Sequence, residues 1–76
     1  MTVHFLVVGD ASPDLPLRVL NLLALRSIAF DTALVERDAD TYRIAVAVSG
    51  LADGVADMLL AKMRALVLVE SATLSS

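Results

Sequence analysis

Seventy-six residues with a formal net charge of −3 and no cysteine make one small domain, which has neither disulfides nor thiolate metal sites to hold it together. The chain is 58% hydrophobic, above the roughly 45–50% of ordinary globular proteins, yet its longest uncharged run, Ile44 to Ala52, falls far short of the ~20 residues that span a bilayer. Its lysines and arginines stand singly, so the clustered positive charge of a nucleic-acid footprint is missing. MTVHFLVVGD has no basic leader and no small-residue cleavage site, so a cytoplasmic protein without a signal peptide is expected. The surplus apolar surface then predicts a partner, with a homodimer first in line.

Thr2 to Val8 (TVHFLVV) is β-branched and aromatic and reads as a central strand. His4 within it has no second ligand or acid nearby and is expected at a rim or facing a partner. Gly9 to Asp14 (GDASPD) is a turn by composition. Ser12 or Asp14 is placed to cap the following helix, while Pro13 and Pro16 fall in the loop or first turn, where a missing N–H costs little. The helix is predicted from about Leu15 to Ser27, with Val19, Leu20, Leu23 and Ser27 on its buried face. Leu15, Leu22 and Leu25 form a second apolar strip left for another chain.

Ile28 to Arg37 (IAFDTALVER) reads as a second strand, and Asp38-Ala39-Asp40 as a tight hairpin connection. Thr41 to Ser49 (TYRIAVAVS) is a third strand, with Tyr42, Ile44, Val46 and Val48 opposite Arg43, Ala45, Ala47 and Ser49. Gly50 breaks it. A second helix is predicted over Leu51 to Ala65, burying Ala52, Val55, Leu59 and Met63, with Gly54 in its first turn. Met58 and Met63 read as core filling. Leu66 to Leu74 is the last strand.

The order β-α-β-β-α-β predicts an α+β, ferredoxin-like sandwich: a four-stranded antiparallel sheet with two helices on one face, as a single domain over 1–76. No enzymatic constellation accompanies it. Ser12, Ser27 and Ser49 have only His4 as a base, with no Gly-x-Ser-x-Gly setting. Asp38 and Asp40 share a turn rather than oppose each other across a pocket. Gly9, Gly50 and Gly54 form no phosphate loop. Metal-carrying relatives of this fold use cysteine pairs, and its acylphosphatase-like enzymes need an arginine in an anion loop where this chain has GDASPD. No catalytic residue, metal or cofactor is expected.

One stretch goes further. Pro13, the helix Arg18-Val19-Leu20-Asn21-Leu22-Leu23-Ala24-Leu25-Arg26 and the later Leu60-Ala61-Lys62-Met63-Arg64 resemble ACT domains, in particular the small regulatory subunit of acetolactate synthase. The length matches the shortest such subunits. The resemblance implies a non-catalytic regulatory module of branched-chain amino acid biosynthesis that pairs with itself and docks on a catalytic acetolactate synthase subunit. It also implies an amino-acid effector held between the first loop of one chain and its neighbour: here Asp10, Ser12, Pro13 and Asp14, faced by Ile28 and Ala29. A helix N-terminus suits the effector's carboxylate. Three departures weaken that site: Asp14 replaces a glycine and adds negative charge, Ser27 replaces the glycine that ends the helix, and Ala29 replaces a hydrogen-bonding asparagine. A stand-alone amino-acid sensor and a purely structural dimerisation module are the alternatives.

Overall fold

The computed structural model describes residues 1–76. Its elements are β1 (Thr2–Asp10), α1 (Asp14–Ala24), β2 (Thr32–Asp38), β3 (Thr41–Ser49), α2 (Val55–Arg64) and β4 (Val69–Ser75). The strands form one sheet in the order β2-β3-β1-β4, every pairing antiparallel. This is the expected ferredoxin-like sandwich, with β1 central.

Alternation sorts the residues into layers. Phe5 and Val7 of β1, Ile44, Val46 and Val48 of β3 and Ala72 of β4 meet Leu15, Val19 and Leu23 of α1 and Leu59 and Met63 of α2, all buried. The strand β3 falls where its pattern predicts, with Ile44, Val46 and Val48 inward and Arg43, Ala45 and Ser49 exposed. His4 lies exposed on the open face, opposite Ala47 and Ser75.

Several boundaries differ from the pattern, each for a local reason. β1 runs on through Gly9 and Asp10, shortening the predicted turn. Gly9 is the residue that permits this: a Cβ there would lie 2.8 Å from Leu15 Cδ2 and closer still to the Leu68 carbonyl oxygen, so only glycine lets β1, α1 and the approach to β4 come together. Neither Ser12 nor Asp14 caps α1 through its side chain; Pro13 occupies the N-cap with helical φ −56° and ψ −24°. The chain enters by a backbone turn instead, Leu15 N–H donating to the Ser12 carbonyl.

α1 stops at Ala24. Ser27 N–H donates to the Ala24 carbonyl and Ile28 N–H to the Leu23 carbonyl, both at 3.0 Å, with Ser27 at φ +56°. That is a Schellman closure with serine in the left-handed position that glycine favours, so Ser27 is exposed rather than part of the buried face. The predicted outer strip also redistributes. Leu15 belongs to the core and Leu22 is partly buried, while Leu17 of α1 (69%) and Leu25 at its C-cap (72%) are exposed.

The helix closure consumes Ile28, so β2 begins only at Thr32, and Ile28 and Ala29 precede the strand. Gly54, at φ +82°, is the N-cap of α2. A left-handed residue cannot continue a right-handed helix, which leaves Leu51 and the exposed Ala52 in the loop before it. Val67 is fully exposed at the α2–β4 turn, and β4 starts two residues later.

Candidate functional site

The first loop is short, Ala11 to Pro13, and stitched at both sides. Asp10 N–H donates to the Leu68 carbonyl (3.0 Å) before β4, and Ala11 N–H donates to the Asp40 carbonyl (2.9 Å) in the β2–β3 hairpin. Asp10, Ser12, Pro13 and Asp14 therefore come together at one end of the sheet, beside the turn Ala39–Asp40 and the approach to β4. A groove of about 340 Å³ opens there, lined by Ser12, Asp14, Arg18, Val67 and Leu68.

A carboxylate at a helix N-terminus is held by backbone N–H groups, and here most are already committed. Asp10, Ala11 and Leu15 donate to carbonyls within the protein. Pro13 and Pro16 have no N–H to give. Ser12 and Asp14 alone in this loop keep N–H groups without a backbone acceptor. Asp14 also places its own carboxylate in the first turn of α1, where it takes up the favourable end of the helix dipole that an incoming anion would use. Arg18 lies one turn on, its Nη2 3.9 Å from Asp14 Oδ2, both side chains more than half exposed; such a pair is worth about 0–1 kcal/mol. Arg18, Val67 and Leu68 are the lining residues that sequence reasoning did not assign. Arg18 was legible, four residues after Asp14 on the same helix face.

Ile28 and Ala29 are not part of this cluster. Asp10 pairs with Thr41 at one end of β1, and Thr2 pairs with Ser49 at the other. Asp31 N–H reaches the Ala47 carbonyl, so the segment before β2 lies at the Thr2 end, a strand length from the loop. Within one chain the six predicted site residues form two separate groups.

The strand between these groups is bare. All seven residues of β2 are exposed, including Leu34 (57%) and Val35 (40%), and Phe30 just before it is 43% exposed. Leu34 opposes Ala45 on the open face and Val35 opposes Ile44 on the helix face, so β2 is uncovered on both sides as well as along its edge. No group of three His, Asp or Glu side chains is placed to hold a metal ion. No helix is long and apolar enough to cross a membrane.

Comparison with known proteins agrees with this architecture. The model of a family described as ACT-like domain matches residues 1–76. The ACT domain from the GTP pyrophosphokinase of Chlorobium tepidum superposes with a TM-score of 0.85 at 9% identity, covering 99% of this chain and 97% of that one. The ligand-free regulatory subunit of aspartate kinase from Thermus thermophilus gives a TM-score of 0.74 at 22% identity, over 99% of this chain and 50% of that one. A homoserine dehydrogenase from Thiobacillus denitrificans gives 0.78 at 16% identity, over 96% of this chain and 16% of that one. At these identities the structures speak for the fold. No curated protein matches the sequence.

Proposed function

The chain belongs to the ACT-like domain family, and from that premise we propose that it is a regulatory, non-catalytic module that works as a side-by-side homodimer and docks on a catalytic enzyme subunit. The bare β2 strand carries the proposal. Unpaired strand edges are normally blunted or covered; this one is open on both faces, with an apolar half, Ala33 to Val35, and a charged half, Glu36 to Asp38. Antiparallel pairing of β2 with a second copy sets the Asp38 end of one strand beside the Thr32 end of the other. The Asp10–Asp14 loop of one chain then approaches Ile28 and Ala29 of its partner, joining the two groups that a single chain keeps apart.

Side-chain chemistry selects a register. With Leu34 opposite its own copy, Ala33 faces Val35, and Asp31 faces Arg37 twice around the axis. The alternative with Glu36 opposite Glu36 sets like charges against each other. The acetolactate synthase small subunit is the finer identification, and the match from Arg18 to Arg26 with the first helix of that family supports it. The effector site is weak in this reading, because the loop is short of free donors and Asp14 occupies the helix terminus. That same shortage favours the structural dimerisation module over the amino-acid sensor as the second reading.

Sedimentation at micromolar concentration, followed by titration with a catalytic acetolactate synthase chain, tests the proposal. A dimer that binds that chain is expected. A stable monomer overturns the dimer, and a dimer without affinity for the chain leaves the structural module. Thermal shift with valine, leucine and isoleucine addresses the effector, since a ligand of the folded state raises the midpoint. Little shift is expected for the native chain and a larger one for Asp14→Gly; equal responses would remove the loop from the site.

A further inference from the structure

We propose that the apolar groove at the opposite end of the domain binds a small branched carboxylate that lacks an α-ammonium group, 4-methylpentanoate being the type. The groove has a volume of about 410 Å³ and is lined by Arg26, Ile28, Gly50, Leu51, Ala52, Val55 and Met58. It is open and shallow rather than enclosed, so it would cover one side of a small ligand, and apolar walls with a convergent polar group are the usual composition of small-molecule sites.

Three separate pieces of chain build it. The Schellman closure of α1 swings Ile28 inward, where it packs on the core. Gly50, at φ +72°, turns the chain out of β3 so that Leu51 and Ala52 form a second wall. Val55 and Met58, one turn apart on α2, form the third, both only partly buried. An unfilled recess of this kind leaves aliphatic surface in water that a branched alkyl chain would cover.

Arg26 supplies the polar group. Its Nη1 donates to the Leu22 carbonyl at 2.9 Å in a part-buried bond, which holds the guanidinium in place. The one ion pair of the chain is between Arg18 and Asp14, so Arg26 has no carboxylate partner, and a guanidinium fork suits a carboxylate. Asp53 and Asp57 are exposed neighbours in sequence, but neither lines the groove. With no acidic side chain in the lining, an α-ammonium group finds Arg26 beside it and no charged acceptor. The groove therefore discriminates against amino acids, in contrast to the site proposed at the Asp10–Asp14 loop.

Amide chemical-shift titration of the whole protein tests this with 4-methylpentanoate, leucine and 4-methylpentan-1-ol, each to 10 mM by design. Saturable shifts are expected at Arg26, Ile28, Gly50 to Ala52, Val55 and Met58 with the carboxylate, and at least several-fold weaker ones with leucine and the alcohol. Arg26→Gln should weaken carboxylate binding by about tenfold, the range for losing a charged hydrogen bond. Ala52→Phe, at an exposed loop position, should block the groove while the core resonances stay in place. No shift at 10 mM, equal binding of the alcohol, leucine binding as tightly as the acid, or shifts confined to Asp10–Asp14 would each overturn the proposal. Ile28 also faces the partner in the proposed dimer, so the shifts at Arg26, Gly50 to Ala52, Val55 and Met58 separate this groove from the loop site.

Discussion

The two edge strands of this sheet have the same length and opposite treatment. β4 lies beneath α2, buries Ala72, and takes a side-chain bond from Arg64 Nε to the Ala72 carbonyl at 3.0 Å. Its register against β1 also slips: Val8 pairs with Ser71 but Gly9 with Val69, leaving Glu70 as an extra residue. Bulge, helix and arginine together make a poor template for another strand. β2 has no bulge and no helix over it, carries charge only at its Glu36–Asp38 end, and is exposed along its whole length. One edge is sealed by the fold, and the other is the edge we propose for a partner.

The largest effect should come from attacking the β4 side. Gly9→Ala would press a methyl group into the Leu68 carbonyl and Leu15 Cδ2. A backbone oxygen cannot swing aside as a side chain does, so overpacking should cost roughly 3 kcal/mol. Chemical denaturation should show a lower midpoint with an unchanged slope. A loss below about 0.5 kcal/mol would mean that β1, α1 and the β4 approach are less tightly joined than the geometry requires.

The second change strikes β2. Leu34→Lys removes an exposed leucine from the open face and sets a positive charge against its own copy. Folding stability of the separated chain should change by no more than about 0.5 kcal/mol, as for other surface positions. Dimer affinity should fall at least about tenfold, or about 1.4 kcal/mol, by sedimentation. Equal loss of folding stability and association would erase the distinction between the two edges. A smaller effect is expected at the other edge: Arg64→Ala frees one carbonyl of β4 and should cost about 1 kcal/mol, with association unchanged.

The sequence displayed the protected parts more clearly than the open ones. The strand β3 was legible to the residue because apolar and small side chains alternate through it without interruption. Helix α1 was legible in its middle but not at its end, since apolar spacing continues to Leu25 and Ser27 does not advertise a left-handed residue as glycine would. For helix α2 the apolar spacing reaches back to Leu51 and a glycine in a first turn is tolerable by composition, whereas the left-handed Gly54 starts the helix only at Val55. At the site, the missing donors were readable from Pro13 and Pro16, which have no N–H. The separation of Ile28 and Ala29 from the loop was not, because it follows from strand direction across the whole sheet rather than from any local pattern.

Ser27 provides the finest test of the contrast, because it controls how the chain passes from the protected core to the bare edge. Its φ of +56° is one that a side chain makes costly and glycine adopts freely. The two hydrogen bonds that close α1 are backbone bonds, so removing the hydroxymethyl group leaves them intact. Ser27→Gly should therefore stabilise the fold by about 0.5–1 kcal/mol; a left-handed serine costs roughly 1–2 kcal/mol, and part of that relief is lost to the greater freedom of glycine in the unfolded chain. Association through β2 should be unchanged, because Ser27 precedes the strand and leaves its edge untouched. A stabilised chain that pairs as before would show that the turn serves the fold alone. A stabilised chain that pairs more tightly would show that the approach to β2 is part of the interface, extending the open edge back through Ile28 to the end of the helix.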